Sequence, residues 1–203
     1  MFIPAHIEKF VERAHLRGAD AYILDLEDSV PLDLKEKARA GVAAAAKKVS
    51  AGGADALIRI NLDPAMADSD LNAAIDSSVS AIVIPKVESA EQVLRITEII
   101  DSLEDARGLT IGHTGIIAMI ESVEGLAKLD NIAGADWRLI SLTLGSEDFS
   151  SSARMQPTPE TLLYPNQLVL FACRRNGITP LGFPASIADF SDTEKFRNTI
   201  QFA

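Results

Sequence analysis

Three apolar segments of this chain each end in acidic side chains, an arrangement that can bind a cation. The segments span residues 21–24, 115–120 and 139–144. The acidic residues that follow them are Asp25, Glu27 and Asp28, then Glu121, then the adjacent pair Glu147 and Asp148. Carboxylates gathered at one site repel one another unless a cation or a proton lies between them. Because Mg²⁺ prefers oxygen ligands, the pattern predicts a magnesium-dependent enzyme.

Two basic residues are placed where they can contact an anionic substrate. Arg59 lies in the apolar segment 56–61, where a buried guanidinium is costly unless it is paired. Its partner is either a substrate carboxylate, which a planar guanidinium binds at two points, or an acidic side chain of a neighbouring strand. Lys86 follows the apolar segment 81–85 and either neutralises the acidic cluster at 25–28 or contacts the substrate. For each residue both alternatives stay open.

Apolar strands alternate with amphipathic helical segments, which is typical of an α/β fold with a parallel sheet. The predicted strands span residues 1–4, 21–26, 56–61, 81–85, 115–120, 138–144 and 178–181. The predicted helices span 7–18, 33–50, 68–77, a segment that begins after Ser89, 122–129, 159–175 and 193–202. Asp33 and Ser89 are the predicted N-caps of the second and fourth helices. Residues 150–156 are predicted to form a flexible loop.

This alternation of strands and helices favours a TIM (β/α)8 barrel that lacks its last βα unit and forms a single domain, residues 1–203. In such a barrel the carboxyl ends of all strands lie on one face, where the acidic residues would meet. An open doubly wound sheet is the alternative, but it usually has a glycine-rich phosphate loop after its first strand, which this sequence lacks. Because the sequence stops before an eighth strand, we expect a fragment or a missing tail.

The charge balance and the composition argue against several classes of function. With 29 acidic and 19 basic side chains, the net charge of −10 argues against a nucleic-acid partner. The sequence has neither a secretion signal nor an apolar run of the roughly 20 residues that a membrane span needs, so we expect a cytoplasmic protein. The single cysteine, Cys173, is expected to be a buried hydrophobic residue, and the three histidines lack the spacing of a zinc site.

Seven short sequence motifs, in order along the chain, carry a resemblance to a known family. They are Phe2-Ile3-Pro4; Gly18-Ala19-Asp20-Ala21; Ile23-Leu24-Asp25-Leu26-Glu27-Asp28-Ser29-Val30-Pro31; Arg59-Ile60-Asn61; Ile84-Pro85-Lys86-Val87-Glu88; Ile120-Glu121-Ser122; and Gly145-Ser146-Glu147-Asp148-Phe149. The chain resembles the citrate lyase β-subunit-like branch of the HpcH/HpaI aldolase superfamily, which also contains malyl-CoA and citramalyl-CoA lyases. The resemblance runs from residue 2 to about residue 184.

The resemblance implies a TIM barrel that makes or breaks a carbon–carbon bond beside a carboxylate, on a CoA thioester such as citryl-, malyl- or citramalyl-CoA. It implies that Glu121 and Asp148 bind Mg²⁺ and that Arg59 binds the substrate carboxylate. Further candidates for contacts with the substrate or with metal-bound water are Asp25, Glu27, Asp28 and Lys86. Glu147 is expected to point away from Asp148, because successive side chains of a strand face opposite sides. A homo-oligomer, with a trimer as the expected state, is also implied.

The sequence departs from the family pattern in two loops, and two alternative functions stay open. Residues 4–6 lack the usual glycine and arginine, and residues 164–167 lack a basic residue that is frequent there. Members of this branch commonly take an acidic catalytic group from a C-terminal region, across a subunit interface, and this sequence stops before that region. The first alternative is a metal-dependent aldolase that acts on free 2-oxo or hydroxy acids. The second is a catalytically silent subunit of a larger assembly.

Overall fold

The computed structural model describes residues 1–186 and 191–202 and has an α/β architecture. In these residues the strands are β1 (Phe2–Pro4), β2 (Ala21–Asp25), β3 (Asp55–Arg59), β4 (Ala81–Ile84), β5 (Gly115–Ile120), β6 (Leu139–Leu144) and β7 (Thr179–Leu181). The α-helices are α1 (Glu8–Glu12), α2 (Lys35–Ser50), α3 (Pro64–Ala74), α4 (Ala90–Ala106), α5 (Val123–Ala127), α6 (Leu129–Ala133), α7 (Ser146–Ser152), α8 (Pro159–Asn176) and α9 (Thr193–Phe202).

The chain divides into two compact units. The first unit contains Met1–Pro85 and Arg95–Ile116, and the second contains Lys86–Leu94 and Ile117–Ala203. None of the helices in the described ranges is both long enough and apolar enough to span a bilayer.

In the first unit, β1 to β4 are parallel neighbours in chain order. The register places Pro4 opposite Asp25 and Asp25 opposite Arg59. Helix α2 packs against β2, β3 and α3 through an apolar face whose buried residues recur at helical spacing: Ala38, Val42, Ala45, Ala46 and Val49. Burial of that face holds the helix against the sheet, so the adjacent ends of β2 and β3 are fixed.

In the second unit, β6 and β7 are parallel neighbours, and α8 packs on both. A capping box between Thr158 and Thr161 begins α8, with Pro159 in its first turn. The helix ends at Gly177, whose φ of 70° is a left-handed conformation that glycine adopts without steric cost. The face of α8 that is buried carries Leu162, Pro165, Val169, Ala172 and Cys173.

The strand predictions agree with the structure. The predicted bounds of β5 and α9 are confirmed, and the ends of the other strands lie within two residues of their predicted positions. The α/β fold class is confirmed. Closure into a TIM barrel and a single domain over residues 1–203 stay predictions.

Part of one predicted loop is helical. The loop predicted at 150–156 overlaps the end of α7, which spans Ser146–Ser152 and buries Phe149, whereas residues 153–156 lie outside a helix, as predicted. The polar composition of this segment hid the helix, which Phe149 anchors by burying its ring.

Two predicted helix starts are also wrong. Asp33 does not cap α2, because Leu32–Leu34 form a 3₁₀ turn and α2 begins at Lys35 without a side-chain cap. Helix α3 begins at Pro64, earlier than predicted, because the carboxylate of Asp63 accepts a hydrogen bond from the N–H of Met66.

The predicted helix 7–18 is divided into two pieces. Helix α1 ends at Glu12, and a 3₁₀ turn at Ala14–Arg17 leads to Gly18. The hydroxyl of Tyr22 donates to the carbonyl of Ala14, so that carbonyl is satisfied outside a continuous helix.

Candidate active site

The first group of candidate residues lies at the ends of β2 and β3, where Arg59 binds Asp25 at two points. Arg59 Nε lies 2.7 Å from Asp25 Oδ1, and Arg59 Nη2 lies 2.8 Å from Asp25 Oδ2. Both side chains are buried. Of the two alternatives for Arg59, the ion pair with a neighbouring strand is therefore present in the structure. Binding of a substrate carboxylate by Arg59 stays a prediction.

Further contacts fix the guanidinium of Arg59. Its Nη1 lies 3.2 Å from Glu27 Oε2 and 3.8 Å from Asp28 Oδ2. The ring of Phe2 lies over the guanidinium, with 5.0 Å between the ring centroid and Arg59 Cζ. Asp25, Glu27 and Arg59, three of the predicted site residues, are thus brought together in the first unit.

The Arg59–Asp25 pair is ionised at neutral pH. Burial acts to raise the pKa of Asp25, but the hydrogen bonds and the charge of Arg59, with help from Ser29 and the N–H of Glu27, hold that pKa below its usual value. Burial likewise acts to lower the pKa of Arg59, and the hydrogen bonds and charge of Asp25 outweigh it and raise that pKa. Both side chains therefore stay charged in the interior.

A buried network behind this group was missed in the sequence. Asp70 accepts hydrogen bonds from the backbone N–H of Asn61 at 2.8 Å, from its side-chain amide at 2.6 Å and from Arg39 Nε at 2.7 Å. The Asn61 amide also donates to the carbonyl of Leu26 at 3.0 Å, so the network holds the backbone next to Glu27. Asn61 belongs to one of the family motifs in the sequence. Asp70 looks like any polar residue of a surface helix, and no sequence pattern indicates that it is buried.

The second group contains Lys86, Glu121 and Asp148. The backbone N–H of Lys86 donates to Glu121 Oε2 at 2.8 Å, and Lys86 Nζ lies 3.4 Å from Asp148 Oδ2. Glu121 is buried at the end of β5, whereas Asp148 lies in the first turn of α7 with 42% of its side chain exposed. Lys86 therefore contacts both predicted metal ligands.

Gly145 makes room for the carboxylate of Glu121. A Cβ atom at position 145 would lie 2.3 Å from Glu121 Oε1 and 2.5 Å from Glu121 Cγ, closer than real Cβ contacts allow. The N–H of Gly145 donates to the carbonyl of Ile120 at 3.0 Å, which fixes the backbone in this position. A glycine is thus required at the end of β6 if Glu121 is to keep its orientation.

The second group fits a Mg²⁺ site. Its two carboxylates are hard oxygen donors, one held against Gly145 and one partly open to solvent, and they leave positions for water and substrate oxygens. The ammonium of Lys86 shows that a cation is accommodated beside Asp148. Among residues 1–186 and 191–202, no three His, Cys, Asp or Glu side chains are grouped so that they could hold a metal ion. The assignment of Glu121 and Asp148 as ligands stays a prediction.

Two other residues have simple local roles. Glu147 and Asp148 both lie in α7, so the expectation that they alternate as on a strand is wrong. Glu147 Oε1 accepts a hydrogen bond from the hydroxyl of Ser186.

Cys173 is buried, and burial raises the pKa of its thiol, which disfavours the thiolate that a nucleophile needs.

Comparisons with known proteins cover nearly the whole chain. Residues 1–202 match the family model for HpcH/HpaI aldolase/citrate lyase. Citrate lyase subunit beta of Leuconostoc mesenteroides subsp. cremoris is 32% identical over 204 residues, which cover 99% of this chain and 67% of that protein. L-malyl-CoA/beta-methylmalyl-CoA lyase of Cereibacter sphaeroides is 31% identical over 97% of this chain and 68% of its own length.

A solved structure gives the same picture for the fold. The citrate lyase beta subunit from M. tuberculosis, complexed with oxaloacetate and magnesium, superposes with a TM-score of 0.75 at 24% identity, over 100% of this chain and 84% of that one. The chain spans 60 to 68% of the length of the curated citrate lyase and malyl-CoA lyase relatives.

Proposed function

Because the chain belongs to the HpcH/HpaI aldolase/citrate lyase family, we propose that it is a Mg²⁺-dependent carbon–carbon lyase. Its substrate is a 3-hydroxyacyl-CoA such as citryl-, malyl- or citramalyl-CoA, a class supported by the names of the relatives. The observation that carries the proposal is that Lys86 contacts both carboxylates, Glu121 through its backbone N–H and Asp148 through its ammonium, so that one residue links the two candidate oxygen ligands.

Each residue of the two groups has a proposed role. Glu121 and Asp148 hold Mg²⁺, which when bound supplies Lewis-acid stabilisation of the negative charge that develops on the substrate carbonyl oxygen. Arg59, whose Nε and Nη2 are held by Asp25, presents a fixed guanidinium to the substrate carboxylate and so orients the bond to be broken. Glu27, beside Arg59 Nη1, helps to hold the guanidinium in place.

The reaction breaks the bond between the carbon that carries the hydroxyl and the carbon next to the thioester. The hydroxyl loses its proton and becomes the carbonyl of an oxo acid. The carbon next to the thioester keeps the electron pair and takes up a proton, which gives a shorter acyl-CoA. Proton count and charge therefore balance without an oxidant or a reductant.

We propose that the parallel strands form part of a TIM barrel, that the protein is cytoplasmic and that it assembles as a homo-oligomer, with a trimer expected. Sedimentation equilibrium of the purified protein tests the assembly, because a monomer at micromolar concentration would contradict it.

A metal-dependent aldolase acting on free 2-oxo or hydroxy acids is the second candidate. The departures in residues 4–6 and 164–167 favour it, because these segments lack the basic residues that would bind an anionic ligand such as CoA phosphate.

One set of assays tests both candidates. The protein is incubated with citryl-, malyl- or citramalyl-CoA, or with a free 4-hydroxy-2-oxo acid, in the presence of Mg²⁺ or of a chelator. Mg²⁺-dependent release of an acyl-CoA is the expected result, and Asp148→Asn abolishes it with little loss of folding. Cleavage of the free acid alone supports the second candidate, and a fully active Asp148→Asn variant would show that the metal assignment is wrong.

A further inference from the structure

Lys86 has an unusual backbone conformation that the surrounding contacts hold in place. Its φ of 52° lies in the left-handed region, which side chains other than glycine, asparagine and aspartate seldom adopt. Such conformations persist only where the neighbouring structure determines them, and they cluster at functional sites. The contacts of the Lys86 backbone and side chain therefore account for this conformation.

Three hydrogen bonds attach the segment around Lys86 to the end of β5. The Lys86 N–H donates to Glu121 Oε2 at 2.8 Å, the N–H of Val87 donates to the carbonyl of Met119 at 3.0 Å, and the hydroxyl of Ser122 donates to Glu88 Oε1 at 2.6 Å. Three successive residues, 86 to 88, are therefore each held by a hydrogen bond, which stabilises the left-handed conformation of Lys86.

The consequence of this turn is that one residue contacts both carboxylates through two different groups. The backbone N–H of Lys86 orients Glu121, and its ammonium lies 3.4 Å from Asp148 Oδ2. The ammonium is the single positive charge of Lys86, and 38% of its side chain is exposed. An exposed ion pair of this length is weak enough to be exchanged for another cation.

We infer that Lys86 is an internal counter-ion: its ammonium neutralises Asp148 in the metal-free protein and is displaced from Asp148 when a divalent cation binds, while its backbone N–H keeps Glu121 oriented throughout. The inference rests on the proposed function, because it takes Glu121 and Asp148 to be the metal ligands. Lys86 is thus a positioning residue for the metal site, and its side chain competes with the metal.

Two substitutions separate the side chain of Lys86 from its backbone. Lys86→Met removes the ammonium and keeps the length of the side chain. Lys86→Gly also removes the ammonium, but it retains the N–H to Glu121 and adopts the left-handed conformation without strain. Lys86→Arg keeps the positive charge, and Lys47→Met is the matched control, because Lys47 forms an exposed ion pair of the same type with Asp76.

Isothermal titration of each variant with MgCl₂ alone is the test, together with the midpoint of thermal unfolding. We expect both Lys86→Met and Lys86→Gly to bind Mg²⁺ roughly three- to tenfold more tightly than the wild type, since a competing cation has been removed. Lys86→Arg and Lys47→Met should stay within about twofold of the wild type.

The results distinguish this inference from the proposed function. Tighter binding by Lys86→Met and Lys86→Gly supports the counter-ion role. If the wild type binds Mg²⁺ and both Lys86→Met and Lys86→Gly bind it equally well or more weakly, the counter-ion role is wrong, even if the unfolding midpoint moves. That result would leave the metal site itself intact. If neither the wild type nor any Lys86 variant binds Mg²⁺, the metal site of the proposed function fails, and the counter-ion role fails with it.

Discussion

Arg59 and Asp25 lie opposite each other on neighbouring parallel strands and form a buried, two-point ion pair with contacts of 2.7 and 2.8 Å. The pair neutralises a guanidinium that would otherwise be costly inside the sheet, and it fixes the direction of the guanidinium plane. If Arg59 binds a substrate carboxylate as proposed, this rigidity would spare the protein the conformational entropy of fixing the guanidinium at that step.

Removal of one partner of this pair should be strongly destabilising. Asp25→Asn leaves the charge of Arg59 without its main partner, so we expect the free energy of unfolding to fall by about 3–5 kcal/mol. Urea denaturation followed by circular dichroism measures it. A loss below about 1 kcal/mol would mean that Glu27 and Asp28 neutralise Arg59 without Asp25.

The same pair predicts a pH dependence of stability. Because the pKa of Asp25 is lower in the folded protein than in the unfolded chain, its contribution is complete above a pH of about 4 and is lost as the pH falls through the folded-state pKa. Urea midpoints measured between pH 7 and pH 2.5 should therefore fall more steeply for the wild type than for Asp25→Asn. Equal slopes would contradict the lowered pKa.

Gly145→Ala should impair the candidate metal site more than it impairs folding. The new Cβ would force the Glu121 side chain away from its present position, and the oxygen nearest to it, Oε1, lies only 2.3 Å from that Cβ. We expect Mg²⁺ affinity and turnover to fall by more than about tenfold, with a change in unfolding free energy near 1 kcal/mol. Gly41→Ala in α2 is the control, because its Cβ meets no atom within 4 Å. Wild-type Mg²⁺ affinity in Gly145→Ala would contradict the role of Glu121.

Asp70→Asn tests the network behind the first group. Three N–H donors point at the Asp70 carboxylate, so an amide at this position cannot accept all of them, and the bond to Arg39 loses its charge. We expect the free energy of unfolding to fall by about 2–4 kcal/mol. Asp68→Asn, at an exposed position of the same helix, should change it by less than about 1 kcal/mol. Similar losses in both variants would show that the network is not important for stability.

The strands and their acidic ends could be predicted because burial leaves a direct mark on the sequence. All four residues of β4 are buried and apolar, and β5 ends where its apolar run meets Glu121. The choice between the two partners of Arg59 could not be made in this way, since Asp25 is 34 residues away and strand register brings them together.

The residues that escaped prediction depend on backbone geometry or on the burial of a polar group. The motif Ile84-Pro85-Lys86 does not indicate that Lys86 has a left-handed backbone conformation. Hydrogen bonds to the end of β5, which is distant in sequence, impose that conformation. Asp70 is polar and lies on a helix, so a pattern of apolar residues cannot reveal that it is buried. Helix α7 was missed because its composition is mostly serine and acid, and burial of Phe149 is what holds it.

Calorimetric titration of the protein with Mg²⁺, with and without oxaloacetate, is the decisive test of the proposed Mg²⁺ site at Glu121 and Asp148. We expect the wild type to bind Mg²⁺, oxaloacetate to tighten this binding, and Asp148→Asn to lose both effects. If the wild type binds no Mg²⁺ with or without oxaloacetate, or if Asp148→Asn binds it as the wild type does, the proposed site is wrong.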